Sequence, residues 1–123
     1  MSSDDFDVIV YKVLAYSMKC VKQGVEPSTD IAQDIAKCND VYWYQVIASM
    51  LSDELIADVY IPEYIDRKVK TVPAQSFRIT QKGAMYLRDN SKMSEVKAFL
   101  GKAFEIVLDT TINSMIAAGL GAL

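Results

Sequence analysis

The stretch Phe77-Arg-Ile-Thr-Gln-Lys-Gly-Ala-Met-Tyr-Leu-Arg-Asp-Asn90 decides how the rest of the chain is organised. Phe77 and Ile79 alternate with a polar residue, which is the period-two pattern of a half-buried strand. Thr80 then offers a side-chain oxygen to the free amides of a first helical turn, so a helix is predicted to begin there. Gly83 costs a helix roughly 1 kcal/mol relative to alanine. Its presence predicts that another backbone passes too close to admit a Cβ atom.

Length and composition predict one domain with one hydrophobic core. The chain has 123 residues, of which 51% are apolar, too many for a disordered segment. Its net charge of −3 gives no overall attraction for nucleic acid or an anionic membrane, so phosphate binding would need a local basic patch. The acidic N-terminus lacks the basic region of a signal peptide, which predicts a cytoplasmic protein.

Hydrophobic periodicity predicts three helices before this stretch. The first spans residues 4–23, where apolar side chains recur at helical spacing. A short helix over 28–37 follows, then a turn at 38–40 with Asn39 or Asp40 as the next cap, then a helix over 41–53. Two helices joined by a three-residue turn are the layout of a helix-turn-helix.

Two strand-like segments then predict a β-hairpin. Residues 55–61 and 77–79 are expected to pair antiparallel as the arms of a wing, with Asp66-Arg67-Lys68 at its tip. The predicted fold class is therefore α+β, a winged helix-turn-helix with a long additional C-terminal helix. Residues 1–90 would form the winged-helix domain, and residues 91–123 the C-terminal helix that mediates dimerisation.

The C-terminal helix is predicted to run from about Ser94 to Gly119, a length of about 39 Å. Apolar residues occupy several of its faces, and the last 14 residues carry no charge. A membrane span is disfavoured because it needs about 20 largely apolar residues, and the run over 103–123 falls short once Glu105 and Asp109 are counted. Since such a helix must be covered by protein, and symmetric dimers are common, we predict a homodimer interface formed by Val107, Leu108, Ile112, Met115 and Ile116.

Three short segments carry a resemblance to a known family. They are 77–87, the Asn-Ser-Lys-Met of 90–93, and the Met-Leu-Ser-Asp-Glu-Leu-Ile of 50–56. With these segments in this order, roughly residues 6–108 resemble the YjcQ-like winged-helix proteins of Gram-positive bacteria and their prophages. The resemblance implies a winged-helix fold, a bacterial or phage origin and DNA binding, and it carries no established activity.

A winged helix that binds double-stranded DNA places its third helix in the major groove and its wing on phosphate. On this chain the bases would meet Tyr44, Gln45 and Ser49, and the phosphates would meet Arg67, Lys68 and Lys70. The alternative for the helix is a solvated polar face, and for the basic residues a solvated hairpin tip.

The charge of the helix pair favours a second hypothesis. Between residues 28 and 54 there are five carboxylates and one lysine, a net charge of −4 that would repel phosphate. Acidic helices suit basic protein partners. The alternative function is therefore a protein–protein interaction adaptor that uses the same fold without binding DNA.

No enzyme, cofactor or metal site is predicted. The chain lacks histidine, and it contains no glycine-rich phosphate loop, nucleophile elbow or metal-ligand spacing. Cys20 and Cys38 are not spaced as a CxxC motif, so they are either reduced cytosolic thiols or a redox pair.

Overall fold

The protein folds mainly as helices, with one very short ladder between two strands. The computed structural model describes residues 1–63 and 70–119. Helices make up 65% of this structure. Along these ranges the elements are α1 (Phe6–Lys22), α2 (Thr29–Ala36), α3 (Asp40–Ser52), β1 (Ile56–Ala57), β2 (Arg78–Ile79), α4 (Gln81–Asp89) and α5 (Ser91–Ala117).

The predicted α+β winged helix-turn-helix class is wrong, because the described sheet has only two residues on each strand. β1 and β2 do pair antiparallel, with Ile56 opposite Ile79 and Ala57 opposite Arg78. The ladder ends at Asp58, whose φ of +66° lies in the left-handed region. Regular strand geometry is interrupted at that conformation, and no further pair of the ladder forms after Ala57 in the described residues. The predicted strand over 55–61 is therefore reduced to its first residues.

The chain that leads into β2 bonds to the segment before α2, whereas β2 itself pairs with β1 over two residues. The Phe77 amide donates to the Pro27 carbonyl at 3.0 Å, and the Thr29 amide donates to the Gln75 carbonyl at 2.8 Å. The side chain of Gln75 also bridges to the first arm, because it accepts from the Tyr60 amide and donates to the Tyr60 carbonyl, each at 2.7 Å. Beyond Ala57, the side chain of Gln75 thus makes hydrogen bonds to the first arm in place of backbone-to-backbone hydrogen bonds.

The junction around Gly83 follows the sequence prediction closely. The Thr80 hydroxyl accepts from the Gly83 amide at 2.9 Å and caps α4. A Cβ atom on Gly83 would lie 2.1 Å from the carbonyl oxygen of Leu55. That oxygen already accepts from the Thr80 amide at 3.1 Å. The predicted close approach of another backbone is confirmed.

α1 is the centre of the hydrophobic core. Its most buried side chains, among them Val8, Leu14 and Tyr16, have no exposed surface. α2, α3, α4 and α5 all contact α1. The start of α3 is fixed by Asn39, one of the two predicted caps, whose side chain accepts from the Tyr42 amide at 2.9 Å. The two helices α2 and α3 therefore both contact α1, and three residues, 37–39, separate them.

α5 is broken at Gly101, where a single straight helix was predicted. Gly101 has φ 64° and ψ −159°, which is not helical and divides α5 into residues 91–100 and 102–117. The second half runs along α1: the Tyr11 and Phe104 rings lie 6.0 Å apart between centroids, and Lys19 pairs with Asp109. Both halves contribute to the same hydrophobic core. Within the described ranges, none of the helices has the length and apolar content needed to cross a membrane.

Candidate functional site

α3 presents a mixed polar face opposite its buried side. Trp43, Val46, Ile47 and Met50 are at most 1% exposed and hold the helix against the core. On the outer side Gln45 is exposed and Tyr44 is half-buried. Two of the three side chains predicted to meet DNA bases, Tyr44 and Gln45, therefore lie outside the buried side of α3.

The structure brings Tyr44 and Lys70 together. The Lys70 ammonium lies 5.7 Å from the centroid of the Tyr44 ring, within the range of a cation–π contact. This contact joins the outer face of α3 to the segment that returns towards β2. Arg67 and Lys68, the other predicted phosphate contacts, lie outside the described residues.

Ser49 lies on the opposite flank of α3. At 100° per residue it is about 140° around the helix from Tyr44. It lines a groove of about 320 Å³ between α1, α3 and α4. The other lining residues are Phe6, Asp7, Val10, Met50, Asp53, Leu55, Lys82 and Tyr86. The structure therefore does not place Ser49 beside the Tyr44–Lys70 contact.

The groove next to Ser49 is acidic and partly apolar. Burial raises the pKa of Tyr86, and the carboxylates of Asp7 and Asp53 raise it further. Both carboxylates are therefore close to the phenol in this groove. Phe6 adds a ring that is 41% exposed. Lys82 is the cation among the lining residues.

The chain separates its charges by sequence half. Residues 1–63 contain eleven carboxylates and four lysines, a net charge of −7, and residues 64–123 have a net charge of +4. α1, α2 and α3 all belong to the acidic half. Any anion that approaches α3 therefore depends on basic residues from the later part of the chain.

The two cysteines have the properties of unreactive thiols. Both are free, with Cys20 buried and Cys38 half-buried. Burial raises the pKa of the Cys20 thiol to about 11 and also raises that of Cys38. Because the thiolate is the reactive form, this environment gives no support to the redox alternative.

The residues predicted for a dimer interface separate into two groups. Leu108, Ile112 and Met115 are at most 3% exposed and pack in the core of their own chain. Val107 and Ile116 are 45% and 44% exposed. Ile106, at 58%, is the more exposed neighbour that the prediction did not include. The dimer itself stays a prediction.

These features define a small helical protein in which a two-helix unit, α2 and α3, packs on a central helix. A family model described as "YjcQ protein" matches residues 11–106, from within α1 to within the second half of α5. The chain belongs to the YjcQ family, which confirms the resemblance based on the segments at 50–56, 77–87 and 90–93. Neither the curated proteins nor the solved structures contain a match.

Proposed function

We propose that this protein is a non-catalytic, DNA-binding regulatory protein whose contact surface is the outer face of α3 together with Lys70. The observation that carries the proposal is the contact between the Lys70 ammonium and the Tyr44 ring. This contact places the Lys70 ammonium beside an aromatic ring on the outer side of α3. The family resemblance implies a bacterial or prophage origin, and we propose a cytoplasmic setting.

The arrangement of α2 and α3 supports this proposal. Both helices contact α1, and Gln45 on the outer side of α3 is exposed among the described residues, so we expect this side to enter a DNA groove. The major groove is about 12 Å wide and accepts one helix. Gln45, exposed near the middle of α3, has the amide group that pairs with the N6 and N7 edge of adenine.

The acidic surroundings predict weak, salt-sensitive binding. Counterion release supplies most non-specific affinity, and the net charge of −7 in residues 1–63 opposes it. Lys70 would then supply a large share of the attraction. Its ammonium is close enough to α3 for one phosphate contact alongside the groove.

The test is a titration of labelled duplex DNA by fluorescence anisotropy at low and moderate salt. We expect Lys70→Ala to weaken binding and to reduce the slope of log K against log salt by about 1. Lys92→Ala is the matched control, because Lys92 lies on α5 and pairs with Glu95 at 3.5 Å. Absence of binding at low salt, or equal binding by the Lys70 variant, contradicts the proposal.

A second candidate function is an adaptor that binds a basic protein. The groove between α1, α3 and α4 favours it, because Asp7 and Asp53 flank an apolar floor that includes Val10 and Met50. A basic amphipathic helix could place apolar side chains on that floor and a cation between the two carboxylates.

Co-purification from the native host would test the adaptor. The expected result is a stoichiometric basic protein and no nucleic acid. After reconstitution with the purified partner, Asp7→Asn combined with Asp53→Asn should weaken the complex about tenfold, the effect of losing charge-assisted contacts at a partly buried groove. An unchanged affinity would exclude this groove as the contact.

A further inference from the structure

A second groove lies on the other side of α4, between α1, α4 and α5, and neither proposed function uses it. Its volume is about 470 Å³, within the range of roughly 300–1,000 Å³ that is usual for small-molecule sites. Met18, Leu87 and Met93 supply the apolar floor. Met93 is fully buried, and the other two are half-buried.

The rim of this groove is basic. Lys22 from α1 and Lys97 from α5 both line it. In the described ranges, neither lysine is in an ion pair. Arg88 also lines the groove, but Asp89 accepts two hydrogen bonds from its guanidinium. The two lysines thus remain as uncompensated positive charges beside an apolar floor.

One carboxylate faces the two lysines at the rim. Glu105 lines the groove 3.8 Å from the ammonium of Lys19, which also pairs with Asp109, so Lys22 and Lys97 still outnumber the carboxylate. Tyr11 lies in the same wall and is 4% exposed. Its hydroxyl makes no hydrogen bond to any residue in the described part of the chain, and the hydroxyl oxygen keeps some exposed surface. A nearly buried donor is therefore available at an opening next to the groove.

From this combination we infer that the groove between α1, α4 and α5 binds a small amphiphilic anion. Its aliphatic chain lies on Met18, Leu87 and Met93, and its carboxylate or phosphate group lies between Lys22 and Lys97. Charge complementarity identifies the occupant: an apolar ligand would leave both lysines unused, and a cation would be repelled by them. The inference is independent of DNA binding, because α3 contributes no residue to this groove.

The test is a titration of the ¹⁵N-labelled full chain, followed by NMR. The probes are decanoate and decyl phosphate as anions, decylammonium as the cation, decanol as the neutral analogue, and an acidic amphipathic peptide. We expect both anions to bind at least tenfold more tightly than decylammonium and decanol. Amide shifts should cluster on residues that line the groove in α1, α4 and α5.

Variants give the second readout. Lys22→Ala combined with Lys97→Ala should weaken decanoate binding about tenfold, as expected for the loss of two partly exposed charge-assisted contacts. Lys92→Ala, also on the first half of α5 but not in the groove, should leave binding unchanged. Equal binding of anion and cation overturns the inference, as do shifts elsewhere on the protein. Binding of the acidic peptide without either anion would also overturn it, and would make the groove a protein-docking surface.

Discussion

α3 and the second half of α5 each pack one side on α1 and leave the other side exposed, but the two exposed sides differ in chemistry. α3 presents Tyr44 and Gln45, with the Lys70 ammonium 5.7 Å from the tyrosine ring. The second half of α5 presents Ile106 and Val107, with Lys102 and Asp109 also exposed along it. The first surface offers hydrogen bonds and one cation, whereas the second offers apolar area.

From this difference we expect the two faces to suit different kinds of partner. A polar helix face with a cation at its edge suits a ligand that has hydrogen-bonding edges and phosphates. An exposed apolar stripe suits another apolar surface, such as that of a second copy of the chain. A glycine lies in the backbone near each of these faces. Gly83 contacts Leu55, in the segment that follows α3, and Gly101 is the break after which the second half of α5 begins.

The largest effect is expected from Gly83→Ala, which would break the scaffold beside α3. The new Cβ would lie 2.1 Å from the Leu55 carbonyl oxygen, and moving that oxygen would cost its hydrogen bond from the Thr80 amide. We expect a loss of about 3 kcal/mol in the free energy of unfolding, measured by urea denaturation.

The sign of this change is diagnostic. At an open helical position the same substitution would stabilise the protein by about 1 kcal/mol. Lys82→Ala, at the exposed neighbouring position, should change the free energy of unfolding by no more than about 0.5 kcal/mol. A Gly83→Ala variant that is more stable than the wild type would show that the backbone of Leu55 is not close to α4.

A smaller loss, of about 2 kcal/mol, is expected for Gly101→Ala. A Cβ here meets no neighbouring atom, but φ 64° with ψ −159° is a conformation that is almost restricted to glycine. The backbone strain on alanine could be relieved if α5 became straight at this position. The second half of α5 would then move away from α1, and Leu108 and Ile112 would become exposed. Thermal unfolding should therefore show a lower midpoint for this variant, while Lys102→Ala leaves it unchanged. An equal or higher midpoint would contradict the break in α5.

The smallest effect on stability is expected for Ile106→Glu combined with Val107→Glu, because both side chains are about half exposed. Folding should change by no more than about 0.5 kcal/mol. The oligomeric state should change instead: light scattering should show a dimer for the wild type and a monomer for the variant. A wild-type monomer, or a variant that remains dimeric, would remove this face as the dimer contact.

The sequence predicted the elements whose causes are local. Thr80 caps α4, and Asn39 caps α3, because a side-chain oxygen one turn before the free amides is sufficient. The close approach at Gly83 was predicted for a related reason: a glycine costs stability inside a helix, so its presence points to a packing constraint such as a nearby backbone. The helix predicted over 41–53 likewise appears as α3, and its buried side includes Trp43, which is 1% exposed.

The features that the sequence did not predict depend on distant contacts or on a single backbone angle. The left-handed conformation of Asp58 shortens the ladder, and nothing in the surrounding strand-like pattern marks it. Glycine is a poor helix former, but the helical spacing of apolar residues continues on both sides of Gly101. A single helix is therefore predicted from the sequence, whereas the structure breaks α5 at Gly101. The contact between Tyr44 and Lys70 joins residues far apart in sequence, so residue order alone could not show it.

The grooves beside α4 illustrate the same limit. Lys22 and Lys97 lie in separate helices, and only the packing of α1 against α5 brings them to one rim. Ser49 was grouped with Tyr44 because both lie outside the core, yet it faces the acidic groove. Assigning residues to a helix face from sequence distinguishes buried from exposed positions better than it separates the two flanks of an exposed side.

The most direct test of the account is an NMR titration of the ¹⁵N-labelled protein with short duplex DNA at low salt. We expect amide shifts at Tyr44, Gln45 and Lys70, no shifts at Ile106 and Val107, and loss of the shifts as salt rises. Shifts at the α5 face, or none at the α3 face when DNA is in excess, would contradict the claim that α3 with Lys70 is the DNA-binding surface.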